Sequence, residues 1–156
     1  MEILTGKASK IVDNYCINEL KIPSLVLMER AALAVGECVT EICRQNKYNK
    51  VKIICGVGNN GADGLALARI LCDDETKINK SDICVCIIGN MEKASEEFNI
   101  QYDILQNIGM DIIKIKDKEQ FKEVIADGEL VVDAIFGIGL SRDVNGLFAD
   151  IINEIN

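Results

Sequence analysis

The sequence predicts an α/β protein, with a mainly parallel sheet covered by helices on both faces and two helices ahead of it. Three observations carry this. Short apolar runs rich in β-branched residues (VKIIC at 51–55, ICVCIIG at 83–89, DIIKI at 111–115, LVVDAIF at 130–136) alternate with stretches of helical pattern. Strands this apolar need cover on both faces, which parallel strands joined by helical crossovers provide. At 156 residues, 49% of them hydrophobic and only one proline, the chain fills one ordinary core and is too short for two. One domain over residues 1–156 is therefore expected.

The first helix is expected over 5–20, opened by Thr5, with Ile11, Val12, Tyr15 and Leu20 along one side before Pro23 and Ser24 break and restart the chain. The second, over 24–45, carries Leu25, Met28, Ala32, Val35, Val39 and Ile42 at three- and four-residue intervals. That stripe suits either a core or a dimer contact, and a core fits better. Further helices are expected at 65–74, 95–109, 118–128 and across LFADIINEI. Right-handed crossovers in the usual doubly wound order place the 51–55 strand beside the 130–136 strand, with the other two stacked outward on the opposite side. Ligands of such sheets sit outside the carboxyl ends of the strands where the order reverses, so the loops after Cys55 and after Asp133 should face each other.

Composition excludes several classes. A net charge of -8 lacks the clustered Lys and Arg that nucleic acid requires. The most apolar segment, SLVLMERAALAV, is interrupted by Glu29 and Arg30, and MEILTGKASK has no apolar leader core, so no membrane partner and a cytoplasmic location are expected. Seven cysteines without a CxxC pair, and no histidine, argue against zinc or a disulfide framework; reduced thiols packed as small hydrophobes are expected.

The chemistry concentrates in two loops. CGVGNNGADG (55–64) contains Gly56, Gly58 and Gly61 in the spacing that lets backbone amides approach phosphate at a helix start. The dinucleotide form of this pattern wants an acid at the end of the next strand, where this chain reads IIGN, and there is no GK[ST]. Turn chemistry with Asp63 as a helix cap explains part of the loop. Yet it spends about nine residues where ~2 to 6 suffice, so a ligand on the backbone is expected. FGIGLSRDVNG (136–146) follows Asp133, a carboxylate closing an apolar strand, which if buried needs donors, a cation or a shifted pKa. Gly137 and Gly139 thin the backbone, Ser141 and Arg142 suit phosphate, and Arg69 is either a second donor or simply solvated.

The stretches SLVLMERAALAV (24–35), CGVGNNGADGLALAR (55–69) and VVDAIFGIGLSRDVNG (131–146) closely resemble the YjeF N-terminal domain family, the NAD(P)H-hydrate epimerases. The resemblance implies a Rossmann-like three-layer αβα sandwich. It implies interconversion of the R and S epimers of hydrated NADH or NADPH, with a partner dehydratase returning the cofactor to use. It implies substrate binding by Asn59, Asn60, Gly61, Ala62 and Asp63 and by Gly137, Ile138, Gly139, Leu140, Ser141, Arg142 and Asp143, and a potassium ion on Asn60 and Asp133. The proton donor and acceptor for epimerisation are sought between Asp63 and Asp133, with Asp133 preferred as catalytic.

This chain departs from the family at several positions. Ala62 stands where the family usually has a glycine, and its methyl is expected to crowd the phosphates or alter the turn. Arg30 and Ala32 replace common Asn and Gly, so altered helix packing or an altered homodimer contact is expected, and Asp143 replaces a common Pro. The chain is C-terminally short, stopping before the strand with a VDxPSG motif that carries a further substrate-binding aspartate and potassium ligand. Two alternatives stay open on these residues: a noncatalytic nucleotide-binding or interaction module of the same fold, and an ordinary NAD-dependent oxidoreductase.

Overall fold

A computed structural model describes residues 5–72, 78–125, 128–141 and 143–156. The order of elements is α1 (Gly6–Asn18), α2 (Ser24–Asn46), β1 (Val51–Cys55), α3 (Asn59–Leu71), β2 (Ile83–Ile88), α4 (Glu96–Asn107), β3 (Ile112–Ile115), α5 (Lys118–Val124), β4 (Leu130–Ala134) and α6 (Leu147–Ile155). The four strands form one parallel sheet in the order β3-β2-β1-β4. The expected neighbour relation holds: β1 lies beside β4, in register from Val51 opposite Leu130 to Cys55 opposite Ala134. The three-layer αβα architecture with two leading helices is as expected.

Strand alternation divides the core. Val51, Ile53, Cys55, Val85 and Ile87 face α2, α3 and α4, while Ile54, Cys86 and Ile88 face Phe121 of α5 and Ile151 of α6. Ile53 and Ile54 are both fully buried, one on each face of the central strand, which is the reason VKIIC carries no polar alternation. Lys52 is the exception. It is buried, and its Nζ sits 2.6 Å from a carboxylate oxygen of Glu129 and donates to the Val124 carbonyl, so a charge under α5 is paired rather than bare.

Element ends follow local chemistry. Thr5 caps α1 as expected, its Oγ1 accepting the Ala8 N–H at 3.2 Å. Lys47 in the left-handed region closes α2. Ser95 caps α4 with its Oγ on the Phe98 N–H at 3.2 Å, and its own N–H donates to Val57 at 3.0 Å, so this cap also anchors the turn after β1. Ser95→Ala should cost about 1 kcal/mol, read as a lower urea midpoint at unchanged slope.

Two expectations about the leading helices are corrected. The inner stripe of α2 is Met28, Ala32, Gly36, Val39 and Cys43, whereas Val35 and Ile42 stay 44% and 40% exposed. The stripe is rotated because glycine at 36 lets the helices close: a β-carbon there would lie 3.1 Å from Ile70 Cγ2 of α3. Helix α1 buries no residue, and Ile11, Val12, Tyr15 and Leu20 are all exposed. It does not cover the sheet but lies beside the fourth-strand loop, with Gly6 against Ile138. The cysteines are free thiols as expected, but Cys38 is exposed and Cys84 only partly buried. The expected 118–128 helix ends at Val124, and residues 126–127 lie outside the described residues.

Candidate functional site

The site forms at the carboxyl ends of β1 and β4, and its glycines explain how. The Gly56 N–H donates to the Ala134 carbonyl at 3.1 Å, and a β-carbon on Gly56 would lie 2.2 Å from the Ile135 oxygen. One on Gly61 would lie 1.7 Å from the Gly56 oxygen, and one on Gly64 would strike Cys55 Sγ and Ala134 Cβ, both at 2.7 Å. These three glycines let α3 start directly on the strand ends. Gly58, Gly139 and Gly146 of the two loops open onto free space.

This corrects the reading of a nine-residue loop. The connection from β1 is Gly56–Gly58, and Asn59 already begins α3, with extended Gly58 at the cap position. Asp63 is therefore inside the helix and caps nothing. The bareness of the stretch reflects strand–helix packing for most of its length. What remains for a ligand is the helix start itself, whose first N–H groups have no partner within the helix. Ala62 is fully buried in the core and its N–H donates to Gly58 at 3.0 Å, so its methyl crowds no phosphate.

The two loops meet. A β-carbon on Gly137 would be 3.2 Å from Asn60 Cβ and 3.3 Å from Asn60 Oδ1, so the Asn60 side chain packs against the backbone after β4. Leu140 donates to the Gly137 carbonyl at 3.2 Å, turning the loop, and Gly137, Ile138, Gly139, Leu140, Ser141 and Asp143 are all exposed around it. Arg142 lies outside the described residues.

A cavity of about 170 Å³ opens between α2, α3 and β4, lined by Ala32, Val35, Asn60, Asp63, Leu67 and Asp133 among others. A second, of about 250 Å³, is lined by Phe136, Leu140, Asp143, Asn145 and Phe148, with the two phenylalanine rings 4.9 Å apart. The second cavity had no signal in the sequence beyond two phenylalanines twelve residues apart. Val35 and Ala32 were read as core stripe; one wall of the first cavity is theirs.

The two carboxylates differ. Asp133 is exposed, not buried: it lies near the end of edge strand β4, and its Oδ1 accepts the Ile135 N–H at 2.9 Å, turning the chain out of the sheet. Asp63 is the half-buried one. Burial pushes its carboxyl up to about 6, and the Asp13 carboxylate of α1 adds to the shift. Arg69, considered as a phosphate donor, is committed to Glu29 of α2. The turn after β2 offers no ribose acid: Gly89 holds a φ of +122° against Val57 and Phe148, and Asn90 Oδ1 accepts the Glu92 N–H at 3.0 Å.

A family model described as YjeF-related protein N-terminus matches residues 24–156. The chain belongs to this family. It is 38% identical over 153 residues to an NAD(P)H-hydrate epimerase of Oenococcus oeni, covering 98% of this chain and 67% of that protein. To proteins of the same name it is 39% identical in Limosilactobacillus reuteri (99% and 68% covered) and 35% in Anaerococcus prevotii (100% and 69%). The chain thus spans about two thirds of the length of the curated relatives it matches. Its fold is that of the crystal structure of yeast ynu0, with a TM-score of 0.79 at 24% identity, covering 99% of this chain and 65% of that one. Among the described residues no helix is long and apolar enough to cross a membrane.

Proposed function

We propose that this chain is an NAD(P)H-hydrate epimerase domain, interconverting the R and S epimers of hydrated NADH and NADPH. The observation that carries the proposal is the 35–39% identity to proteins of that name across 98–100% of the chain. The geometry supports it, because the helix start at Asn59–Gly61 lies against the backbone of the loop after β4 at Gly137, which places the α3 amides and the exposed residues 137–141 side by side, as a diphosphate-linked substrate requires. The alternative of a nicotinamide-dependent oxidoreductase loses support from the absent ribose acid.

Asn59, Asn60 and the N–H groups of the α3 start would hold the phosphates with Ser141 and Arg142, while Ala32, Val35 and Leu67 shield the ring end from water. Asn60 and Asp133 line one cavity, and the oxygens that their side chains carry suit a hard monovalent cation, so they would hold potassium. Bound there, that ion would supply fixed positive charge beside the phosphates. Among the described residues no group of three or more Cys, Asp or Glu converges as a transition-metal site would demand.

Proton transfer is assigned to Asp63 in preference to Asp133. A carboxyl near 6 is present in both forms around neutrality, which is what a group that gives and then retakes a proton needs. Asp63 would protonate the leaving hydroxyl of the hydrated ring, releasing water, and its carboxylate would take the proton from the water that adds to the other face. The reading is tested by adding the purified chain to a single NADHX epimer and following R–S exchange by chromatography. Acceleration in potassium and a weaker effect in lithium are expected. Binding without acceleration would leave a noncatalytic module, and hydride transfer would favour the oxidoreductase. Functional coupling to a dehydratase belongs to the same proposal.

A further inference from the structure

Phe136 and Phe148 line a cavity that the proton transfer and the potassium site leave unused. Their rings are half-buried, with centroids 4.9 Å apart and planes inclined at 47°. Both pack against the α5–α6 side of the sheet, whereas Ala32 and Leu67 of the first cavity belong to the α2–α3 side. The two cavities therefore flank the carboxyl end of β4 from opposite faces.

The start of α3 connects them. The Asn60 side chain lines the first cavity and packs on Gly137, the residue after Phe136. On the other side, a β-carbon on Gly89 would lie 3.4 Å from Phe148 Cζ and 3.3 Å from Val57 Cγ2, so the Phe148 ring reaches the turn that leads through open Gly58 into α3. A dinucleotide crosses the crest of an open sheet in this way, its diphosphate at the helix start and its two ring systems to either side.

Size and chemistry decide which end goes where. An apolar cavity of about 150 Å³ holds one benzene-sized ring. The first cavity, of about 170 Å³, matches a single ring, and the second, of about 250 Å³, a fused pair. Phenylalanine faces stack on bases. Asn145 and Asp143 line the same cavity. A carboxamide pairs with the amino group and ring nitrogen of adenine, and a carboxylate accepts from an amino group but repels phosphate.

We propose, on the epimerase reading, that the Phe136–Phe148 cavity is the adenine subsite of this chain. The base stacks on the phenylalanine rings with its amino edge toward Asn145 and Asp143, while the hydrated ring enters the cavity of Asn60 and Asp63. The adenine end then holds the substrate equally before and during reaction, so loss of its contacts raises KM and leaves kcat.

Calorimetric titration of the full chain with ADP-ribose reads the subsite without catalysis. Binding is expected, weakened about 10-fold or more in Phe148→Ala. The same variant should raise KM for hydrated NADH by a like factor with kcat within about 2-fold of wild type. Hydrated NMNH, the substrate without its adenylate half, should be exchanged alike by both proteins. Wild type should bind ADP-ribose about 10-fold tighter than its hypoxanthine counterpart, and Asn145→Ala should lose that preference. Asn145 is exposed, so this variant keeps the test valid if circular dichroism shows that Phe148→Ala fails to fold. Epimer exchange with no ADP-ribose binding, equal ADP-ribose binding by wild type and folded Phe148→Ala, or an unchanged KM for hydrated NADH in that variant would overturn the adenine subsite and spare the epimerase reading. Weakened ADP-ribose binding in Phe148→Ala, in a chain that exchanges no epimers, would uphold the adenine subsite and overturn the epimerase reading instead.

Discussion

Gly61→Ala is expected to unfold the protein rather than merely slow it. Its new methyl would sit 1.7 Å from the Gly56 carbonyl oxygen, a backbone atom that cannot rotate away. Gly56 is itself held by its N–H bond to Ala134 and packed closely against the Ile135 carbonyl, so relief in that direction separates β1 from β4. Moving α3 outward instead would open the packing of Ala62, Leu65 and Leu71, all fully buried. The cost should be about 3 kcal/mol or more, a large share of the roughly 5–15 kcal/mol that a domain has in hand. Gly58→Ala is the control. It faces open space at a φ of -95°, and should stay within about 1 kcal/mol of wild type. Urea unfolding of both variants measures this, and equal midpoints would mean that the α3 start does not lie against β4 as described.

Asp63→Asn is expected to separate stability from activity. The carboxyl titrates near 6 in the folded chain and near 3.9 in an unfolded one. An acid whose pKa is raised by folding favours the folded state below its unfolded value, and that contribution is lost as pH rises toward 6. Wild type should therefore lose stability between about pH 4 and 6 from this group, and the asparagine variant should not. At pH 7.5 the variant should be more stable by about 1 kcal/mol once solvent screening is allowed for, with the advantage gone at pH 3.5. Over the same change R–S exchange should fall about 100-fold or more, the usual worth of a positioned acid–base group. A variant less stable than wild type at pH 7.5 would show that Asp63 has a native partner rather than a burial cost. Full activity in the variant would move proton transfer to another group.

The two results bear on different halves of one design. Three glycines draw a helix start onto the ends of β1 and β4, and that close approach leaves Asp63 half-buried, with Asp13 of α1 nearby. Packing and reactivity are in this way set by the same contacts.

Much of this was legible along the chain. Four short β-branched runs separated by helical periods allow only a parallel sheet with covered faces, and right-handed crossovers then leave β1 beside β4. What sequence could not say was why the first loop is built of glycines. A bare stretch reads alike whether its missing side chains make room for a ligand or for the protein's own carbonyls, and Gly61 proved to be the second kind, while Gly58 faces open space. Nor can a strand pattern report whether its last carboxylate is covered. VVDAIF is apolar and left open whether Asp133 is buried; its exposure depends on what lies on the far side of β4, not on its neighbours along the strand. The same limit applies to α1, whose apolar side is as regular as that of a core helix and touches no core. Periodicity settles which residues share a face; only the packed structure decides what, if anything, that face meets.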